Sequence, residues 1–249
     1  VNVFEKLILK LSKNLPESLK TILRPVYYSI FNPNKYYCEQ IFWEGRFEKE
    51  KGCFKNSHYK KLMLAMAGES DEIFLKGKII ADFGCGPRGS LAWISSANLK
   101  IGIDVLADIY AEKFKSNIIS HGMIYIKSTE SVIPIPSNYI DIVFTINAMD
   151  HVDNFGEICG EIIRILKPGG EFIGSFNLNE PETPCEPQRL TEDSIKESLL
   201  DCLEIKSYRI TNYNSGEDPY VRLIEGKANY QKGHRGVLWV RAKKPDLDC

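Results

Sequence analysis

From Lys76 onward the chain alternates short apolar runs with longer stretches whose apolar positions recur every three or four residues. The runs "GKIIADFG", "KIGIDVL", "MIYIKS" and "EFIGSFNL" are short and rich in β-branched residues, which predicts strands. "YIDIVFTINAM" is nearly continuous in apolar residues, as suits a strand buried on both faces. In "FGEICGEIIRILKPGG" the residues Phe155, Ile158, Ile162, Ile165 and Leu166 share one helix face, and Pro168-Gly169-Gly170 supplies the stop. Thr191, followed by Glu192 and Asp193, predicts the cap of a helix through Leu200. "CLEIKSYRITNY" and "RGVLWVRAKK" predict a closing antiparallel pair. This alternation implies a doubly wound α/β fold with its ligand site at the carboxyl ends of the strands.

The first 75 residues are patterned differently. Phe4, Leu7, Ile8 and Leu11 form one helical stripe, with Lys6, Lys10 and Lys13 lying off it. Leu19, Ile22, Leu23, Val26, Tyr27 and Ile30 form a second, interrupted at Pro25. "FNPNKYY" reads as a loop, and Tyr36 to Ala67 as further helix broken near Gly52. The expected organisation is an N-terminal helical segment, 1–75, followed by an α/β domain, 76–249. A basic amphipathic segment either packs on the core or lies in a membrane interface.

Composition narrows the classes. Hydrophobic content of 43% with 26% charged residues is ordinary for a globular protein, and a net charge of −1 gives no general attraction to nucleic acid. Residues 1–40 nevertheless carry six basic side chains against three acidic ones, which leaves the remainder acidic. The seven cysteines form neither a C-x-x-C pair nor a zinc spacing, so reduced thiols and no metal are expected. With no run of 18 apolar residues and no visible leader, the expectation is a cytoplasmic protein, at most peripheral at the inner face of a membrane.

The chemistry centres on "IIADFGCGPRGS". Gly84, Gly86 and Gly89 spell the G-x-G-x-x-G of a dinucleotide-binding loop after the first strand. A pyrophosphate there needs free backbone N–H groups, yet Pro87 removes one. Asp82 would set a carboxylate beside it, a repulsion of a few kcal/mol at about 4–6 Å. S-adenosylmethionine carries an ammonium and a sulfonium and no phosphate, so Asp82 suits it. Asp104, twenty residues after Gly84, stands at the end of the second strand, where a carboxylate accepts hydrogen bonds from ribose hydroxyls.

"ADFGCGPRGSL", "IGIDVL", "IPIPSNYIDIVFTINAMDHV" and "EIIRILKPGGEFIGSF", in this order and spacing, resemble the class I S-adenosylmethionine-dependent methyltransferases of the small-molecule type. The resemblance covers about Lys76 to Leu178 and implies a Rossmann-like, mostly parallel seven-stranded sheet. It places Gly84, Cys85 and Gly86 along the methionine moiety, with Gly89 completing the loop. It also assigns Asp104 to the ribose, Val105 to the adenine, Thr129 and Glu130 to the adenine amino group, and Asn147 to the ammonium or sulfonium.

Methyl transfer needs a general base only when the acceptor must lose a proton. His151, after the fourth strand and beside Asp150, is the candidate base; its other reading is a helix cap or pocket wall. His58-Tyr59 reads as a lid or as packing. No [DNS]-P-P-[YFW] motif follows the fourth strand, which disfavours a nucleobase amine. Tyr36, Tyr37, Phe42, Trp43 and Phe47, with the loop "NEPETPCEPQRL", are the expected acceptor walls, and a sugar hydroxyl or lipid-linked glycan is the expected acceptor. The alternatives are a non-catalytic S-adenosylmethionine-binding protein and an NAD(P)-dependent oxidoreductase. Deleting residues 1–35 should abolish sedimentation with anionic vesicles if this segment docks on a membrane; unchanged partitioning removes that reading.

Overall fold

The computed structural model describes residues 34–183, 185–212, 219–225 and 230–246. The amphipathic stripes of residues 4–30, and the membrane contact expected of them, lie outside the described residues. Helices α1 (Lys35–Lys49) and α2 (His58–Ala67) come first, separated by Lys51 and Gly52, which both take positive φ. Then follow β1 (Ile79–Phe83), β2 (Leu99–Asp104), α3 (Ala107–Lys113), α4 (Lys115–Ser120), β3 (Ile124–Lys127), β4 (Ile140–Ile146), α5 (Phe155–Ile165) and β5 (Leu166–Leu178). The chain closes with α6 (Glu192–Ser198), β6 (Glu204–Asn212), α7 (Pro219–Glu225) and β7 (Gly236–Lys243). Among the described residues no helix is long and apolar enough to cross a membrane.

The seven strands stand in the order β3-β2-β1-β4-β5-β7-β6, parallel from β3 to β5, with β7 antiparallel to both of its neighbours. Alternate residues of the central strands feed two cores, as a pleated strand covered on both faces requires. Ala81, Phe83 and Val143 pack with Phe155, Ile158 and Ile162 of α5, whereas Ile80, Ile142 and Phe144 pack with Leu62, Met63 and Met66 of α2. A third cluster joins Tyr110, Phe114 and Phe54 to Trp43 and Phe47, and so seats α1 over α3. The order reverses between β1 and β4, where a crevice opens at the strand ends.

One boundary differs from the expected stop at Pro168–Gly170. Helix α5 ends at Ile165, and Leu166 is already extended (φ −66°, ψ 134°) as the first residue of β5. Proline drives the residue before it out of the helical region, so the turn cannot continue to the glycines. Lys244 donates from Nζ to the carbonyls of Ile163 and Leu166, both at 3.0 Å, and satisfies the helix end. Asn154 caps the other end of α5, and Thr191 caps α6 as expected, within a reciprocal box with Ser194.

Arg241 on β7 clamps the α2 end to the sheet. It donates to the Ala67 carbonyl at 2.6 Å, to Glu69 at 2.8 Å and to Glu171 at 2.9 Å. Arg241→Met would strand two carboxylates and one helix carbonyl, a loss of about 2–3 kcal/mol. That should lower the melting temperature by roughly 5–10 °C in a calorimetric scan.

Candidate active site

Asp82 near the end of β1, Asp104 at the end of β2 and Asn147 just past β4 meet at this crevice and line a cavity of about 570 Å³. The volume suits a nucleoside-sized ligand. Gly84 turns the chain off β1 at φ +69°, and a Cβ there would fall 2.2 Å from Ala148 Cβ. Gly86 (φ +55°) lies beneath Trp43, with 2.6 Å between the indole and a Cβ built on it. Only glycine allows both the left-handed turn and these approaches. The loop is then tied to β2: Gly86 N–H donates to Asp104 Oδ2 at 3.0 Å and Leu106 N–H to Oδ1 at 2.9 Å.

Cys85 and Val105 line the cavity, and so do Glu130 and His151. Gly86 supports the wall through Asp104 and Trp43 without lining it. Two expected residues lie away from it. Gly89 faces the His121 ring, 2.4 Å from a Cβ built there, although Arg88 before it lines the cavity. Thr129 is exposed, its hydroxyl accepting the Val132 N–H at 3.0 Å to close a local turn. Glu130 is held by α1: Oε1 accepts from Tyr36 Oη at 2.5 Å and lies 2.8 Å from Lys35 Nζ, while Oε2 accepts the Asp153 N–H at 3.0 Å.

The other wall comes from α1 and the loop after β5. Tyr36, Phe42 and Trp43 line the cavity, as do His58, Tyr59, Cys185 and Glu186; Tyr37 does not, and Phe47 packs instead on Phe54 and Phe114. Arg88, in the glycine loop, pairs with Glu50 past the end of α1, and its guanidinium lies 5.9 Å from the centre of the Trp43 ring. Lys35, Glu39, Tyr110 and Ser128 also line the cavity and were not singled out in the sequence. For Lys35 and Glu39 a signal exists: with Phe42, Trp43 and Arg46 they recur at helical spacing on one face. Tyr110 and Ser128 carry no comparable signal.

His151 sits among three carboxylates. Asp150 Oδ1 and Glu186 Oε1 are 3.8 and 3.9 Å from Nε2, and Glu39 Oε2 is 4.0 Å from Nδ1. These distances exceed hydrogen bonds, so the contacts are electrostatic. Asp82 Oδ1, Tyr110 Oη, Ser128 Oγ and Asn147 Oδ1 have no partner among the described residues, and all four residues line the cavity. Buried polar atoms are ordinarily satisfied, so such a set fits a ligand bearing several donors and acceptors. An ammonium and ribose hydroxyls suit it; a phosphate beside Asp82 does not.

Burial pushes the Asp82 carboxyl up to about 7 against the Ser90 hydroxyl bond, with the charge of Asp104 adding to the rise. Burial likewise lifts Asp104 to about 6, against the Leu106 and Gly86 N–H groups. A carboxyl raised above its unfolded value of 3.8 holds protons more tightly when folded, so its contribution to stability declines as pH rises from there toward 7. Asp82→Asn removes that decline. Its thermal stability relative to the wild type should therefore grow between about pH 4 and 7 and then level off; a flat difference in melting temperature over this range contradicts the burial reading.

Residues 81–174 match the methyltransferase domain family. Among curated relatives, the sterol 24-C-methyltransferase of Pneumocystis carinii is 29% identical over 123 residues, covering 43% of this chain and 32% of that protein. The malonyl-acyl-carrier-protein O-methyltransferase of Enterobacter lignolyticus is 29% identical over 92 residues, 36% of each chain. The chain thus spans about a third of the length of these relatives. Among solved structures, the (4+2)-cyclase SpnF superposes with a TM-score of 0.56 at 18% identity, over 75% of this chain and 80% of that one. Likeness at that identity concerns the fold alone. The sheet order, the crevice and the matched segment agree: the chain has the Rossmann-like fold of class I methyltransferases, and its residues 81–174 match the methyltransferase domain family.

Proposed function

We propose that this chain transfers a methyl group from S-adenosylmethionine to a hydroxyl of a small polar acceptor. Residues 76–249 form the donor-binding domain in this reading, and within the segment up to residue 75 the described part from residue 34 onward caps it and walls the acceptor side. The observation that carries it is the set of orphaned polar atoms, Asp82 Oδ1 foremost, facing one cavity at the strand ends. Asp82 and Asn147 take the ammonium, Gly84 and Cys85 border the methionine chain with Gly86 bracing the loop behind them, Asp104 takes the ribose, and Val105 and Glu130 border the adenine. When bound, the donor supplies a methyl group on a positively charged sulfur, which departs as a neutral thioether keeping the bonding electron pair.

His151 accepts the proton that the acceptor hydroxyl releases. Glu39, Asp150 and Glu186 stabilise the resulting imidazolium, each within 4.0 Å of a ring nitrogen. Alignment within the cavity supplies the remaining rate, since an in-line displacement is sensitive to the placement of its reactants. The relatives named above act on carbon and on oxygen; the charged surroundings of His151 favour a hydroxyl acceptor over a sterol-like one. A sugar or lipid-linked glycan meets this requirement, and the basic N-terminal segment would bring the protein to the inner face of a membrane.

A nicotinamide-dependent oxidoreductase would place its pyrophosphate against Asp82. Calorimetric titration with S-adenosylhomocysteine and, in parallel, NADH separates the two: micromolar binding of the first alone is expected, and the reverse overturns the donor assignment. Asp104→Ala should weaken S-adenosylhomocysteine binding by about ten- to a hundredfold, the loss of a charge-assisted contact; an unchanged affinity overturns the ribose assignment.

A further inference from the structure

The amino-acid end of the donor carries two charges, and Asp82 with Asn147 answers only the ammonium. The carboxylate on the same carbon is repelled by the buried Asp82 unless a cation stands on its other side. Helix α1 runs along the donor site toward that end. Its first turn is bonded to Glu130, on the adenine side, through Tyr36 and Lys35. One turn on, Glu39 stands where its charge adds to the rise of Asp104. Trp43 then covers Gly86, and Arg46 follows on the same face, about 16 Å of helix beyond Lys35.

Two arginines meet at this end, and both line the cavity. They flank one aromatic pair: Arg46 lies 5.4 Å from the centre of the Phe42 ring, Arg88 5.9 Å from that of Trp43, and the two rings are 5.1 Å apart, edge to face. Glu50, one turn after Arg46, is already occupied: Oε1 pairs with Arg88 and Oε2 accepts the Lys55 N–H at 2.7 Å. Arg46 is therefore left without an ion pair among the described residues. Arg88 has a deficit of its own. Its side chain is 14% exposed, and its Nε–H is buried with no acceptor among the described residues. The loop that carries it leaves the chain at Asp82 and returns there, where the Ser90 hydroxyl donates to Asp82 Oδ2. The cavity's lysine, Lys35, is held by Glu130, Asp153 and the His151 carbonyl.

Resting on the methyl-transfer reading above, we infer that Arg46 pairs with the α-carboxylate of S-adenosylmethionine and that the Arg88 Nε–H is its second donor. An uncommitted guanidinium and an orphaned N–H are what one carboxylate satisfies. Helix α1 thereby spans the donor from its adenine to its amino acid. The competing occupant is an anionic group of the acceptor.

The test is calorimetry on the full-length protein with two ligands: S-adenosylhomocysteine, which keeps the carboxylate, and 5′-methylthioadenosine, which lacks the whole amino-acid end. Arg46→Gln should weaken the first about tenfold, as loss of a charge-assisted contact does, and leave the second unchanged. Arg88→Lys keeps a charge for Glu50 and removes Nε–H, so it should weaken S-adenosylhomocysteine alone, by about threefold. In Arg46→Gln, equal weakening of both ligands would mean that the side chain only shapes the cavity, and unchanged binding of both would give it to the acceptor; either result overturns the inference. If the wild type binds neither ligand, the donor reading fails and the inference with it.

Discussion

The carboxylate of Asp104 accepts the N–H of Gly86 through one oxygen and that of Leu106 through the other, so the end of β2 fixes the course of the glycine loop that leaves β1. The remaining walls depend on this tie. With the loop held, Gly86 presents a bare Cα to Trp43, and α1 can rest on it. The aromatic cluster of Phe47, Phe54 and Phe114 anchors the rest of that helix against α3 and α4. One carboxylate thereby serves as a structural brace while lining the cavity, and its burial lifts it to about 6.

Much of the sheet was readable because its strands obey a simple physical rule. β1, β4 and β5 are covered on both faces, and a short, near-continuous apolar run between turn residues is what such a strand requires. Asp82 and Asp104 were readable because a carboxylate at the end of such a run departs from the pattern. The glycine spacing counts residues and not their path: Arg88 still lines the cavity, whereas Gly89 turns toward the His121 ring. Thr129 failed for a related reason, its hydroxyl being used by its own turn.

The helix α1 was the least legible part of the site. It contains no fully buried residue, so apolar periodicity barely marks its working face. Lys35 and Glu39 look like solvated charges in the sequence, and only the folded chain brings them against Glu130 and His151. Tyr110 belongs to a buried aromatic cluster, and nothing in its neighbours distinguishes a hydroxyl left without a partner from one that has found one.

Arg88 stands where the loop is longest, and it pairs with Glu50 just beyond the end of α1. The residue between two glycines is thus a fastening between the glycine loop and the helix that covers it. The two positions act as one mechanical unit: shortening the loop would remove the anchor, and replacing Glu50 would leave the guanidinium without this counter-charge. The helix is thus held at its C-terminal end by a charge pair and along its middle by aromatic packing, which leaves the Lys35 end tied to the sheet side through Glu130 and Asp153.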